Sequence, residues 1–129
     1  MASSWSTLLL ALSVLCLADA DVKVFGIRGF GLYGDAWSPP DTYVKVFCGN
    51  TFGGETGYMW DHPNPSWIVS FIFPNCRVGE VLKLEVWDVD LMFNDHLGDC
   101  ATNVHTGTTV PVSCKLRHGI VEFSYVYVN

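Results

Sequence analysis

The sequence predicts an all-β fold, an antiparallel β-sandwich of about eight strands. Short segments rich in β-branched and aromatic residues follow one another along the 129-residue chain, and Gly, Pro, Asn and Asp separate them. No segment shows a sustained apolar period of about 3.6 residues, which an amphipathic helix would require. Many short strands in one small domain are typical of two antiparallel sheets packed face to face.

Several segments carry the strand pattern in chain order. Residues 81–87 alternate most clearly, since Leu82, Leu84 and Val86 share one face and charged residues share the other. Residues 52–55 contain two glycines and are interpreted as a hairpin connection. The predicted strands are residues 22–28, 43–48, 57–60, 67–73, 81–87, 108–114 and 119–128.

The amino-terminal residues 1–20 have the pattern of a signal peptide. Residues 8–18 form a short apolar run, and Ala18-Asp19-Ala20 provides the small residues of a cleavage site. The run is short for a bilayer span, which disfavours the alternative of an uncleaved anchor. We therefore predict a secreted protein whose residues 21–129 form one domain.

The cysteines predict two disulfides. Cys16 would leave with the signal peptide, and Cys48, Cys76, Cys100 and Cys114 would remain. An oxidising compartment favours disulfide bridges, and the chain lacks the C-x-x-C spacing of a zinc site. Three pairings are possible. We favour the sequential one, Cys48–Cys76 and Cys100–Cys114, because it closes two short loops.

The charge of the chain argues against partners that need a basic surface. The sequence has seven Lys and Arg and thirteen Asp and Glu, a net charge of −6. Loss of Asp19 with the signal peptide would leave twelve acids against the same seven bases, a net charge of −5. The basic residues do not cluster, which disfavours nucleic acid and direct attraction to anionic membranes.

Two acidic clusters have the spacing of a calcium site. They are Asp35 and Asp41, before the second predicted strand, and Asp88, Asp90 and Asp95, after the fifth. Asp88 and Asp90 are two residues apart, so an extended chain would place both carboxylates on one side. Calcium prefers about six to eight oxygen ligands, which two converging loops of this kind provide. The clusters therefore predict bound Ca²⁺.

Three motifs in order carry a family resemblance: GDAWSPPDTYVKV at 34–46, WDHPNPSW at 60–67 and VWDVDLMFNDHLG at 86–98. With these motifs the chain resembles a C2 domain, and within that family the C2 domains of perforin type. The resemblance covers essentially all of residues 21–129 and implies a C2-type Greek-key sandwich. It implies calcium-dependent phospholipid binding, and we expect a stand-alone module that does not form pores.

The resemblance also assigns individual residues. The calcium-coordinating positions of the family match Asp35, Asp41, Asp88, Asp90 and Asp95. Asn94 stands where perforin-type loops can have a further Asp, which implies weaker binding of one peripheral ion. The Cys100–Cys114 pair is similar to a bridge of perforin-type C2 domains, whereas Cys48 and Cys76 have no evident counterpart there.

The apolar residues beside the acidic clusters predict a membrane contact. Tyr33 and Trp37 lie in the first loop, and Leu91, Met92 and Phe93 lie between the acids of the other. Exposed apolar loop tips are unfavourable in water unless a membrane or a partner covers them, and Trp and Tyr suit the headgroup region. The alternative is that Trp37 and Phe93 fold back over the end of the sandwich.

These observations predict a secreted, monomeric module that binds phospholipid membranes when calcium is bound. The alternative is a calcium-stabilised sandwich that binds a protein or a carbohydrate in extracellular defence. The sequence has no Ser/His/Asp or metal-hydrolase motif, so we do not predict an enzyme. Trp60, Trp67 and Trp87 are predicted to pack in the core or in turns.

Overall fold

The computed structural model describes residues 21–34 and 39–128, which form a β-sandwich of two four-stranded antiparallel sheets. The predicted eight-stranded antiparallel sandwich is therefore confirmed. The predicted signal peptide lies outside the described residues. The strands are β1 (Asp21–Phe30), β2 (Thr42–Cys48), β3 (Thr51–Glu55), β4 (Phe71–Pro74), β5 (Val81–Asp88), β6 (Asp95–Asn103), β7 (Val110–Lys115) and β8 (Ile120–Val128).

The two sheets have different strand orders. The first sheet has the order β4-β1-β8-β7, and the second has the order β3-β2-β5-β6. Consecutive strands β1 and β2 therefore lie in different sheets, and the chain crosses between the sheets at the first loop. None of the residues that the structure describes form a helix long and apolar enough to cross a bilayer.

The core lies between the two sheets, where the alternation of the strands places apolar side chains. Leu82, Leu84 and Val86 of β5 are fully buried, as their period of two predicted. Phe123 and Tyr125 of β8 meet them from the first sheet. Burial of one such side chain stabilises the fold by roughly 1.5–3 kcal/mol.

Strands β3 and β6 were not predicted from the sequence. β3 contains Gly53, and a Cβ at this position would overlap the Phe73 ring, so the missing side chain lets β4 pack closely. β6 is an edge strand whose polar residues face solvent. Both segments therefore lack the apolar alternation on which a sequence-based strand assignment depends.

The predicted strand 57–60 and the first four residues of the predicted strand 67–73 belong instead to the long β3–β4 loop (56–70), whereas residues 71–73 lie in β4 as predicted. Residues 57–60 form only an isolated bridge, in which the Met59 amide donates to the Thr42 carbonyl at 2.9 Å. Residues 67–70 precede β4, and the Trp67 amide donates to the Ile27 carbonyl at 2.9 Å. The loop thus follows the ends of β2 and β1 without continuous pairing.

The disulfide pairing is the predicted sequential one. Cys48 of β2 is bridged to Cys76 after β4, with Cα atoms 6.1 Å apart. Cys100 of β6 is bridged to Cys114 of β7, with Cα atoms 5.4 Å apart. The Cys100–Cys114 bridge joins strands of the two sheets directly, and the Cys48–Cys76 bridge joins β2 to the segment that follows β4 of the other sheet.

The strand register places four of the connections between strands at one end of the sandwich. Thr42 pairs with Asp88, Asp88 pairs with Asp95, and Phe30 pairs with Ile120. The connections at this end are the first loop (31–41), the second loop (56–70), the third loop (89–94) and the β7–β8 turn (116–119). We call this end the loop end. Asp21 and Val128 lie at the opposite end.

We predict that replacing Cys48 and Cys76 with Ala lowers the free energy of unfolding by about 3–4 kcal/mol, because the bridge closes a long loop in the unfolded chain. Replacing Cys100 and Cys114, which are 14 residues apart rather than 28, should cost less. Urea denaturation of both double variants checks this order. The reverse order would contradict a loop-closure origin of the stabilisation.

Candidate functional site

The acidic residues predicted as ligands lie at the loop end. Asp41 directly precedes β2, Asp88 ends β5 and Asp95 begins β6. Because β2, β5 and β6 are adjacent strands of one sheet, their register brings these three residues together where the strands end. Asp90 follows in the third loop and is exposed, and Asp35 lies outside the described residues.

Hydrogen bonds donated by backbone amides hold the first, second and third loops together. The Asp41 amide donates to Asp88 Oδ1 at 2.8 Å, and the Val89 amide donates to the Asp41 carbonyl at 2.9 Å. From the second loop, the Asp61 amide donates to Asp41 Oδ1 at 2.6 Å. Asp61 adopts a positive φ of 53°, which turns the second loop at this point. Asp41 and Asp88 therefore fix the position of all three loops.

The same arrangement places like charges close together. Partial burial raises the pKa of Asp88 above its ordinary value, and the negative charges of Asp41, Asp95 and Asp90 raise it further. The hydrogen bond from the Asp41 amide opposes this shift of the Asp88 pKa without cancelling it. The folded protein thus contains electrostatic repulsion between these carboxylates, which a bound divalent cation would reduce.

The described carboxylates do not yet form a closed metal cage. Within residues 21–34 and 39–128, no three Asp, Glu, His or Cys side chains are grouped closely enough to hold a metal ion. Asp90 Oδ1 instead accepts a hydrogen bond from the Leu91 amide at 2.6 Å. Asp90 Oδ2 accepts no hydrogen bond from the described residues, so this oxygen is free to contact a cation.

Two further observations fit a hard cation beside these carboxylates. A Cβ at Gly34 would overlap Asp88 Oδ2, so glycine at this position leaves that carboxylate oxygen uncovered. The Thr42 hydroxyl, opposite Asp88 in the register, is buried and has no hydrogen-bond partner in the part of the chain that the structure describes. The donors are all oxygen atoms, which suits calcium.

The predicted apolar tip of the third loop is exposed. Leu91, Met92 and Phe93 each have at least 77% of their surface in contact with solvent. Tyr33 of the first loop is also exposed, and Trp37 lies outside the described residues. Phe93 therefore does not fold back over the end of the sandwich. Asp41, Asp88 and Asp95, which we call the acidic edge, therefore occupy the same end of the molecule as the apolar tips.

Comparison with known proteins identifies the family. Residues 19–118 match the sequence profile of the C2 domain. This protein belongs to the C2 domain family. Perforin-1 of Mus musculus is 38% identical over 112 residues, which cover 82% of the chain, and perforin-1 of Homo sapiens is equally similar. The match spans 19% of each perforin-1.

Solved structures agree with this C2 assignment. One structure described as a C2 domain has a TM-score of 0.81 and 32% sequence identity, and covers 85% of this chain and 99% of that chain. The C2A domain of plant extended synaptotagmin 1 has a TM-score of 0.73 and 21% identity, and covers 85% and 95% of the two chains. At 21% identity, the similarity to the extended synaptotagmin 1 domain shows a shared fold.

The second loop gives this C2 domain apolar residues that sequence reasoning missed. Trp60 lies in a turn, one of the two predicted locations, but its side chain is 73% exposed and does not pack in the core. Tyr58 is exposed beside it, with ring centroids 6.3 Å apart. Trp67 is partly buried and packs against the core, as predicted.

Asn94 has a structural partner in this C2 domain. Its Nδ2 donates to the Tyr43 hydroxyl at 2.8 Å, and its Oδ1 accepts from the Asp90 amide at 3.4 Å. Tyr43 is buried on β2, so this contact anchors the return of the third loop. The amide at this position therefore holds the loop in place.

A cleft of about 420 Å³ lies beside the acidic edge of the C2 domain. It is bounded by Tyr33 and Gly34 of the first loop, by the start of β6 at Asp95, and by Arg117 and His118 of the β7–β8 turn. Sequence reasoning missed Arg117 and His118, because they are far from the acidic motifs along the chain. Only the register places this turn at the loop end.

We predict that Asp88→Asn raises the melting temperature in chelator, because Asn keeps the Oδ1 acceptor for the Asp41 amide and removes one of the repelling charges. Differential scanning fluorimetry measures the shift. A raised carboxyl pKa destabilises the folded state fully above the folded-state pKa, and the effect disappears as the pH falls to the unfolded-state pKa, so the advantage of Asp88→Asn should shrink as Asp88 is protonated.

Asp21→Asn is the matched control, because it removes the same charge at the opposite end of the sandwich. A rise in melting temperature as large for Asp21→Asn would show that overall charge, rather than repulsion at the acidic edge, controls the stability.

Proposed function

We propose that this C2 domain is a secreted module that binds phospholipid membranes through its loop end when calcium is bound. The observation that carries the proposal is the shared position of the acidic edge and the exposed apolar tips. A metal site with a purely structural role would not need bare apolar side chains around it. The module has no catalytic role in this proposal.

The residues that would hold calcium are Asp35, Asp41, Asp88, Asp90 and Asp95. Bound calcium supplies positive charge that pairs with the carboxylates and with the phosphate oxygens of a headgroup. The Asp41 and Asp88 carboxylates pre-position the loops by accepting hydrogen bonds from backbone amides, and Asn94 holds the third loop on Tyr43. These hydrogen bonds support the proposal, because they hold the Asp41 and Asp88 carboxylates close to one another.

The apolar tips would then enter the interfacial region of the bilayer. Leu91, Met92 and Phe93 extend from the third loop, and Tyr58 and Trp60 extend from the second. Burial of one large apolar side chain contributes roughly 1.5–3 kcal/mol. Because the chain has a net charge of −6, calcium must first remove the repulsion between the acidic edge and an anionic surface.

The relatives support this proposal. The C2 family fits membrane or lipid binding, and the perforin-1 segment is 38% identical to this chain. A solved pair of C2 domains from extended synaptotagmin 2 is calcium-bound, with a TM-score of 0.72 to this chain. Secretion is supported by the signal-peptide pattern of residues 1–20 and by the two disulfides.

The direct test is sedimentation with vesicles made of equal parts phosphatidylcholine and phosphatidylserine. We expect the protein to sediment with the vesicles in calcium and to remain in the supernatant in chelator. The double variant Asp88→Asn with Asp90→Asn should lose both calcium-induced sedimentation and the calcium-induced rise in melting temperature, because calcium loses two charged ligands.

The control variant, Asp21→Asn with Glu55→Gln, changes the net charge equally at residues outside the acidic edge. Equal sedimentation of the wild-type protein in calcium and in chelator would refute the proposal. A calcium-induced rise in melting temperature without any vesicle binding would point instead to a calcium-stabilised sandwich with a protein or carbohydrate ligand.

A separate prediction concerns the apolar tip. Leu91→Ala should weaken calcium-dependent vesicle binding by about tenfold, because it removes much of an apolar side chain that the bilayer would bury. Ile72→Ala is the matched control, since Ile72 is also an exposed aliphatic residue but lies on β4, away from the loop end. Equal weakening by both variants would contradict insertion of the third loop.

A further inference from the structure

The outer side of the first sheet carries an exposed apolar segment that the proposed function does not use. Residues 67–74 run antiparallel to β1 and end in β4, and we call them the apolar segment. Ile68 is fully exposed, Val69 is 41% exposed and Ile72 is 62% exposed. Three aliphatic side chains within five residues thus lie in water along one side of the sandwich.

The apolar segment also has backbone groups that are open to a further strand. β4 is the outermost strand of its sheet and pairs only with β1, so alternate amides and carbonyls of β4 point away from the sheet. Just before β4, the amides of Ile68, Val69 and Ser70 donate to no backbone carbonyl within the described residues. The segment can therefore accept another strand along this side.

The other three sheet edges carry features that oppose such pairing. β3 ends in Glu55, and β6 contains the exposed Asp99. β7 contains Pro111, which has no amide to donate, and ends in Lys115. Charged residues and proline are the usual protection of an exposed strand edge. The apolar segment has no charged residue, and its proline, Pro74, comes only at its end.

The side chains of the apolar segment alternate between the core and solvent. Phe71 and Phe73 are buried, whereas Ile68, Ser70 and Ile72 are exposed. Ile68 lies two residues before Ser70 and Ile72 lies two residues after it, so all three share one face of the extended segment. A two-fold axis through Ser70 would therefore place Ile68 of each copy opposite Ile72 of the other.

We propose that the apolar segment joins two copies of this chain as an antiparallel strand pair centred on Ser70. The occupant is a second copy because the segment is complementary to itself. Its exposed isoleucines face each other across the axis, and no charged residue of the segment is buried. The pairing uses the same edge of both copies, so the assembly closes at two chains. This dimer replaces the monomer that the sequence predicts.

The same arrangement keeps the acidic ends of the two copies apart. Antiparallel pairing turns the strands of the copies in opposite directions, so the two loop ends lie at opposite ends of the dimer. Each acidic edge therefore stays far from the other, although each chain has a net charge of −6. Both loop ends remain uncovered, so the dimer neither depends on the proposed membrane binding nor blocks it.

Sedimentation equilibrium in chelator, without vesicles, tests the dimer separately from membrane binding. We expect a monomer–dimer equilibrium that is evident at about 100 μM, because a single strand pair is a small interface with modest affinity. A protein that stays monomeric at this concentration would overturn the proposal. Species larger than a dimer would contradict the closed two-fold pair.

Ile68→Lys should weaken the association about tenfold, because it places a charge opposite Ile72 at two symmetric positions of the pair. Ile68 is fully exposed, so the melting temperature of the dilute protein should not change. Leu91→Lys is the matched control, since it adds the same charge at a fully exposed aliphatic residue in the third loop. Equal effects of the two variants would indicate a general effect of charge and overturn the proposed interface.

A second substitution tests the register of the pair. Ile68→Lys combined with Ile72→Glu should recover the association, because the register places each introduced lysine opposite an introduced glutamate of the other copy. Within one chain the two positions are four residues apart along an extended strand, about 13 Å, which is too far for an ion pair. A double variant that associates no better than Ile68→Lys would overturn the register.

A cross-link tests the position of the axis. Ser70→Cys should form a disulfide between two copies under mild oxidation, because directly opposed residues of antiparallel strands have Cα atoms about 4.5–5.5 Å apart. Thr108→Cys is the control, since Thr108 is an exposed small residue between β6 and β7. Equal cross-linking of both cysteine variants, measured by non-reducing electrophoresis, would overturn an axis at Ser70.

Discussion

The hydrogen bond from the Asp41 amide to Asp88 Oδ1 is the interaction on which the loop end depends. It joins the end of β5 to the first loop, and the Val89 amide returns a second bond to the Asp41 carbonyl. Through Asp61, the second loop is held by the Asp41 carboxylate as well. A carboxylate in this position is therefore both a structural acceptor and a candidate metal ligand.

This double use has an energetic consequence. The acidic edge keeps Asp88 close to other carboxylates, and the raised pKa of Asp88 records the resulting repulsion and burial. The rest of the sandwich offsets that cost through a closely packed core and two disulfide bridges. The fold thus carries a destabilised edge at one end, where a cation and a membrane surface would each contribute binding energy.

Much of the fold could be predicted because its buried strands repeat every two residues. The alternation around Leu84 identified β5, while β3 and β6 lacked such alternation and became visible only through their pairing. The exposure of Leu91 followed from its position between acids, but that of Trp60 did not. An aromatic residue beside a turn has the same local pattern whether it faces the core or the solvent.

The sequence by itself determined the sandwich, the acidic clusters and the family resemblance, because these depend on short-range patterns and on spacing along the chain. It left three cysteine pairings possible, and the structure shows the favoured one. Tertiary structure alone decided that Arg117 and His118 meet Asp95 at one cleft. Asp95 begins β6 of one sheet, whereas Arg117 and His118 lie in the turn between two strands of the other sheet, and no local pattern encodes their proximity. The antiparallel register, fixed by packing of the two sheets across the core, brings them together.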